Sequence, residues 1–171
     1  MKSVLISIQP KWCELIASGK KTVEVRKTRP KIKTPFKCYI YETNWKDNTY
    51  WKERHKGMLG KVIGEFVCDL IKPYWFAISD DEEIESCEDV QLACLSVREI
   101  QDYGGERGLY FWHISDLVIY DKPRALSKFQ RACPDHVYEC AMCRHSDYTG
   151  MRCTPITRPF QSWGYVEGER E

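Results

Sequence analysis

The stretch SIQPKWCELIASGKKTVEVR, residues 7–26, decides the fold. A β-branched run, VLISI (4–8), leads into it and reads as a strand. Pro10 suits the first turn of a helix, where its missing N–H costs nothing. Trp12, Leu15 and Ile16 recur at helical spacing and are expected to face a core. Gly19 supplies the stop, so the spacing predicts a short helix over 10–18. Residues 22–26, TVEVR, then alternate strictly, as a half-buried strand does. Val23 and Val25 point inward; Thr22, Glu24 and Arg26 share the other face.

Outward from this stretch the chain continues in short strands. Residues 27–35 form a basic loop with two prolines, and 37–42 a strand. Residues 44–58 are polar, aromatic and basic, and read as a loop. Residues 61–71 form a long strand with Gly64 at a bulge. Residues 79–90 are an acidic surface segment. Ser96 and Glu99 make a capping box for a helix that ends at Gly104-Gly105. Residues 108–114 and 117–121 are strands, or one bent strand, and 156–167 a final strand with Pro159 at an edge or bulge. Five or six strands, short helices and long loops predict an α+β fold built on a small, partly closed β-barrel.

A chain of 171 residues points to one domain, spanning 1–171. At that size it buries a sizeable core without disulfides, because a domain of ~150 residues hides roughly 70% of its unfolded surface. Hydrophobic residues at 43% and charged residues at 30% exclude a disordered chain. No apolar run approaches the ~20 residues of a membrane span. The N-terminal segment lacks the pattern of a signal peptide, so the expected location is the cytoplasm. Net charge is only +1, but it is unevenly placed. Residues 1–61 carry 15 Lys/Arg against 5 Asp/Glu; residues 62–106 carry 2 against 12. A basic first third suits a polyanion-binding face. It equally suits two oppositely charged surfaces that attract each other, within one chain or between two.

The 7–26 stretch resembles the ASCH domain, a branch of the PUA-like β-barrel superfamily. The resemblance rests on the strand before Gln9-Pro10, the short helix with Trp12, Gly19, and then Lys21-Thr22-Val23-Glu24 and Arg26. GKVIGEF (60–66) and FWHISDL (111–117) also look like the family. As a whole the chain looks most like small ASCH proteins of phages and Firmicutes, which for a phage protein implies the host cytoplasm. The resemblance implies a PUA-like barrel, association with RNA or single-stranded DNA or a modified nucleotide in them, and a pocket between the early helix, the Lys21–Arg26 strand and the closing strands.

Glu24 and Arg26 stand roughly 7 Å apart on one strand face. With Lys21 beside them they can hold the edge of a polar heterocycle, with a cation left for a phosphate. They also suit an ion-paired surface strand. Gln9, Trp112, Ser115, Ser162 and Trp163 are the further candidates to line the pocket. His113 shares a strand face with Phe111 and reads as a satisfied strand histidine. One ASCH subgroup is enzymatic, an acetylcytidine amidohydrolase with a Thr nucleophile, a Lys and a Glu on the motif Gly-x-Lys-Thr-x-Thr-x-Arg. Here Lys21 matches the Lys, but Glu24 stands at the nucleophile position and Thr22 lies two residues earlier. Glu24 cannot form the same acyl intermediate with the same ease. If the chain is an enzyme, Lys21, Glu24 and Thr22 are the catalytic candidates, acting on a modified pyrimidine nucleoside. A third reading is a protein that binds a host protein or a small nucleotide signal, for which the acidic segment with Asp80, Asp81, Glu82 and Glu83 would matter more.

The nucleic-acid face is expected at Lys27, Arg29, Lys31 and Lys33, joined by Trp45, Trp51 and Arg54. Aromatics interleaved with cations suit stacking on unpaired bases, and they equally suit capping one end of the barrel. Nine cysteines fall into two groups. Cys13, Cys38 and Cys68 lie in apolar stretches, where a thiol behaves as a small hydrophobe. Cys133, Cys140, Cys143 and Cys153 have the spacing of a four-thiolate zinc site, with His136 and His145 as reserve ligands. Free thiols and a disulfide are the alternatives. A structural Zn2+ would give a zinc-knuckle insertion at 127–155 the stabilisation its few apolar residues cannot.

Overall fold

Strand β1 (Ser3–Ile8) is buried along its whole length and lies inside the sheet, not at its edge. The computed structural model describes residues 2–44, 49–75, 81–105, 108–132 and 155–169, with residues 168 and 169 described by their backbone alone. Helix α1 (Pro10–Ala17) follows β1 directly, with Pro10 in its first turn and Gly19 just beyond it at φ +73°. That left-handed backbone is the one glycine adopts without cost. Then come β2 (Val23–Arg26), β3 (Phe36–Glu42), α2 (Thr49–Arg54) and β4 (Lys61–Tyr74). Three short helices follow: α3 (Asp81–Ser86), α4 (Glu88–Leu92) and α5 (Val97–Gly104). The chain returns through β5 (Leu109–Ala125), a 3-10 turn, β6 (Phe129–Arg131) and β7 (Trp163–Glu169).

The seven strands form one sheet in the order β2-β5-β4-β3-β1-β7-β6. Every neighbouring pair is antiparallel except β1 with β3. The parallel pair needs a crossover, and α1 with β2 supplies it. The sheet does not close, since β2 and β6 are its two ends. This is the expected α+β, PUA-like architecture with a gap in the barrel.

Three buried clusters hold it. Val4, Ile6 and Ile8 of β1 pack with Ile16, Phe66 and Trp112 beneath α1. Val23 and Val25 pack with Ile84, Val90 and Ile100, so α3, α4 and α5 cover one face of β2. Leu5, Tyr39, Phe129, Ile156 and Val166 form the third on the opposite side of the sheet.

Several elements depart from the sequence reading, each for a local reason. The segment read as a loop at 44–58 contains α2; Arg54 pairs with Glu14 of α1, and His55 Nδ1 stands 2.5 Å from Glu42 Oε1. The acidic surface segment is two short helices that bury Ile84 and Val90. For 108–121 the one-strand alternative holds: β5 is continuous, with Asp116 at a left-handed φ of +47°. The final strand begins only at Trp163; before it, Ile156 N–H donates to the Phe129 carbonyl at 2.8 Å, and Gln130 bridges Pro155. Residues 129–131 and 155, inside the segment read as an insertion, therefore belong to the sheet, and Ile156 just after it belongs to the core. Strand β2 is buried on both faces, not one.

Gly64 lies beside the register shifts that couple β4 to β3 and β5. A Cβ there would stand 2.5 Å from the Val118 carbonyl oxygen, which is main chain and cannot rotate away. Gly64→Ala is expected to lower stability by about 2 kcal/mol, the cost of overpacking a core. Urea unfolding measures it; a loss below about 0.5 kcal/mol, the range of an ordinary surface change, would show that β4 and β5 part there freely.

Candidate functional site

The Lys21 side chain is 2% exposed, an unusual place for a lysine. Its Nζ donates to the Ala93 carbonyl at 2.7 Å and lies 3.4 Å from Glu24 Oε2. Glu24 Oε1 stands 3.0 Å from Arg26 Nη2, which also donates to the Ser7 carbonyl at 2.7 Å. One carboxylate thus sits between two cations, and all three are buried. Alternation along β2 puts Glu24 and Arg26 on the face opposite Val23 and Val25. Burial pulls the Lys21 ammonium below its usual range, while Glu24 opposes that shift. The cluster keeps one net positive charge. Arg26 Nε is buried with no partner among the described residues, so one donor remains to be satisfied.

The cluster forms the floor of a cavity of about 640 Å3. Trp12 of α1 and Tyr103 of α5 line it. Lys11 Nζ lies 4.2 Å from the Trp12 ring centre and Lys21 Nζ 5.1 Å; Lys27 Nζ lies 4.9 Å from that of Tyr103. Polar groups of Gln9, Thr28, Thr43, Gln161 and Ser162 complete the rim. Lys11 reaches Glu99 Oε1 at 3.3 Å and so ties α1 to α5. Aromatic walls around a charged, hydrogen-bonding floor suit a flat, polar, electron-rich ligand.

Of the candidate site residues read from the sequence, Gln9, Lys21, Glu24, Arg26, Lys27 and Ser162 line this cavity. Trp112 does not: it is fully buried in the core below, edge-on to Phe36 and 5.8 Å from Trp163. Trp163 lies behind the wall and donates from Nε1 to Thr28 Oγ1 at 3.0 Å. Ser115 donates to the Val67 carbonyl within the β4–β5 ladder. Thr22 precedes β2 and is not among the lining residues, so Lys21, Glu24 and Thr22 do not converge. His113 lies on the far side, 3.2 Å from Asp89, which also pairs with Lys72. Spacing alone missed Trp12, Thr28, Glu99, Tyr103 and Gln161. Trp12 repeats with the core positions of α1, and Glu99 looks fully used by its capping box. The others come from distant segments.

Lys27, Arg29, Lys31 and Lys33 are exposed on the loop beside the cavity. Trp51 and Arg54 sit apart on α2, and Trp45 lies outside the described residues. Cys13, Cys38 and Cys68 are buried free thiols, and burial pushes all three above their usual range. Among the described residues no group of three or more His, Cys, Asp or Glu is placed to hold a metal. Cys133, Cys140, Cys143 and Cys153 lie outside them, as do His136, His145 and Asp80. No helix among the described residues is long and apolar enough to cross a membrane.

The family model of the ASCH domain matches residues 6–112. The chain belongs to the ASCH domain family. ASCH domains are generally nucleic-acid-binding modules of PUA-like fold. The crystal structure of an ASCH protein from Zymomonas mobilis is similar, at 25% identity and a TM-score of 0.54, covering 72% of this chain and 73% of that one. A serine-to-alanine variant of that protein matches at 25% identity and a TM-score of 0.52, covering 72% and 74%. No curated protein matches this ASCH chain.

Glu99 joins the cavity wall to the start of α5. Its carboxylate accepts from the Ser96 N–H at 2.9 Å, which holds its pKa below the ordinary 4.5, with help from the Ser96 hydroxyl and Lys11. A depressed folded-state pKa contributes stability above about 4.5 that is lost as pH falls through the folded value. Glu99→Gln, which can keep the capping box but loses the negative charge at the helix N-terminus, is expected to cost about 0.5 kcal/mol at pH 7. The gap from the native chain should close on acidification below 4.5. Denaturant melts at pH 7 and below check this; a gap independent of pH would assign the loss to packing.

Proposed function

We propose that this ASCH protein binds one nucleotide of a single-stranded nucleic acid in the cavity floored by Lys21, Glu24 and Arg26. The observation that carries the reading is the buried Lys21–Glu24–Arg26 cluster lining a cavity that Trp12 and Tyr103 also line. Such a floor offers fixed donors to the acceptor edge of a base, or to a phosphate oxygen. Trp12 and Tyr103 offer faces on which the base lies. The family supports the same class of ligand.

Binding fits the geometry better than hydrolysis. In the acetylcytidine amidohydrolase reading a hydroxyl must attack and a base must activate it. Thr22 is outside the cavity, and both Glu24 oxygens are occupied by cations. The cavity hydroxyls are also engaged in part: Ser7 donates to the Phe160 carbonyl, and Thr28 accepts from Trp163.

Titration of the protein with the four nucleoside 5′-monophosphates and with acetylcytidine, followed by NMR, tests this. At least one nucleotide is expected to bind. Trp12→Leu should weaken it by about tenfold or more, since a base–aromatic stack is worth ~1–3 kcal/mol. Gln9→Ala, at an exposed position, should weaken it too and guards against misfolding of the first variant. Silence toward all ligands at millimolar concentration overturns the reading, and release of acetate from acetylcytidine replaces it with the enzymatic one.

We also infer that Cys133, Cys140, Cys143 and Cys153 bind one structural zinc. The support is their spacing, together with the Gln130–Pro155 bridge, which draws the flanks of the cysteine-bearing segment together. Native mass spectrometry should show one zinc per chain, removed by a chelator and absent in Cys140→Ser/Cys143→Ser. A metal-free native chain with all four thiols open to alkylation would rule it out.

A further inference from the structure

We propose that a groove between the basic loop and β4 is a second subsite, which holds the phosphodiester chain of a single-stranded polynucleotide leaving the cavity. This rests on the reading that the cavity takes one nucleotide. The groove is lined by Arg29, Lys31, Ile32, Lys33, Leu70 and Ile71 and has about the volume of the cavity, 640 Å3.

The two sites share one wall. Residues 25–28 line the cavity and residues 29–34 line the groove. The last of these cavity residues, Thr28, and the first groove residue, Arg29, are chain neighbours with Cα atoms about 3.8 Å apart, so one continuous loop borders both sites. The loop's charge is not neutralised from within. Lys11, Lys37, Arg54 and Lys72 each pair with a carboxylate. Among the described residues Arg29, Lys31 and Lys33 pair with none. Exposed cations at alternate positions of one loop, without carboxylate partners there, match a polyanion.

The loop is also held in shape before any ligand arrives. The Lys31 N–H donates to the Tyr165 hydroxyl at 2.7 Å, and Thr28 accepts from Trp163. The Arg29 guanidinium lies 5.7 Å from the Tyr110 ring centre, and Pro30 is buried. Ile32 packs on the core cluster beneath α1. Ordering the loop therefore adds little cost at binding. Leu70, 43% exposed, and Ile71 give an apolar floor for a sugar or a base face, with the cations around it. A duplex would first have to unstack and flip a base out, at a cost of a few kcal/mol, to send it into the cavity while its chain follows the groove. A single strand can do both.

Fluorescence anisotropy with mixed-sequence RNA and DNA oligomers of one, four and eight nucleotides, and with an eight-base-pair duplex, tests the subsite. The native chain should bind the tetranucleotide at least tenfold more tightly than the mononucleotide. In Lys31→Gln/Lys33→Gln that ratio should collapse toward unity. Each lysine–phosphate pair removed should lower the salt slope by about 0.7, so two make a ~7-fold difference in how affinity falls between 50 and 200 mM salt. The double variant lies on the surface, and a melting curve beside the native one confirms its fold. A gain in either the RNA or the DNA arm supports the subsite, and the stronger arm identifies the sugar. Mononucleotide binding with no gain in length overturns the subsite and leaves the cavity reading standing. Length-dependent, lysine-dependent binding without mononucleotide binding does the reverse. Equal binding of the duplex, with the same lysine dependence, overturns the single-strand inference.

Discussion

The placement of one carboxylate, Glu24, between Lys21 and Arg26 is the constraint on which the rest of the structure depends. Burying three charges is costly, and such a group persists only when each member has further hydrogen bonds. Here those bonds go to main-chain carbonyls at Ala93, just after α4, and Ser7 in β1. The cluster therefore ties β1, β2 and the α4 end to one another by polar contacts, where the cores around them tie the same elements by apolar ones. It also explains why β2, an end strand of the sheet, is buried on both faces. Helices cover the valines, and the cavity walls cover the charges.

The features of the fold that were legible in the sequence are those whose cause is local. Pro10, Gly19 and the Ser96–Glu99 box mark helix ends through the conformation or the hydrogen bond of one or two residues. The alternation in residues 22–26 correctly separates Val23 and Val25 from Glu24 and Arg26. It says nothing of what covers the polar face, because that cover comes from α1, α5 and residues 161–162. Helix α2 has no apolar period of its own and depends on Arg54–Glu14 and His55–Glu42, pairs between distant positions. The left-handed residue of β5, Asp116, falls in the break already read between 108–114 and 117–121, but spacing does not decide between two strands and one. The aromatic residues show the same limit. The helical spacing of Trp12 reads as core and Trp112 as pocket, yet Trp112 is core and Trp12 is wall.

Charge, too, is redistributed by folding. The basic first third does not form one positive surface. Lys21 and Arg26 are internal, and Lys11, Lys37 and Arg54 are neutralised by Glu99, Glu65 and Glu14. Of what remains outside, the densest run is Lys27, Arg29, Lys31 and Lys33 on the loop after β2. The acidic segment is divided in the same way: Asp89 is buried, while Asp81, Glu82 and Glu83 stay on the surface of α3. A net charge near zero thus conceals a short positive ridge beside the cavity.

The position of β1 between β3 and β7 bears on how the protein is made. Its partners lie far apart in sequence: the Ser7 hydroxyl reaches Phe160 across 153 positions, and its N–H reaches the Ser162 carbonyl. On the ribosome, β1 can pair with β3 early, but its other edge stays open until residues 163–169 emerge. An apolar strand with an open edge is a template for wrong pairing, and contacts this distant slow the search for the native state. The same late strand brings in the Gln161–Ser162 wall, so the nascent chain acquires its cavity only after these residues have emerged. Until then the open edge of β1 is the kind of surface that chaperones shield from misassociation.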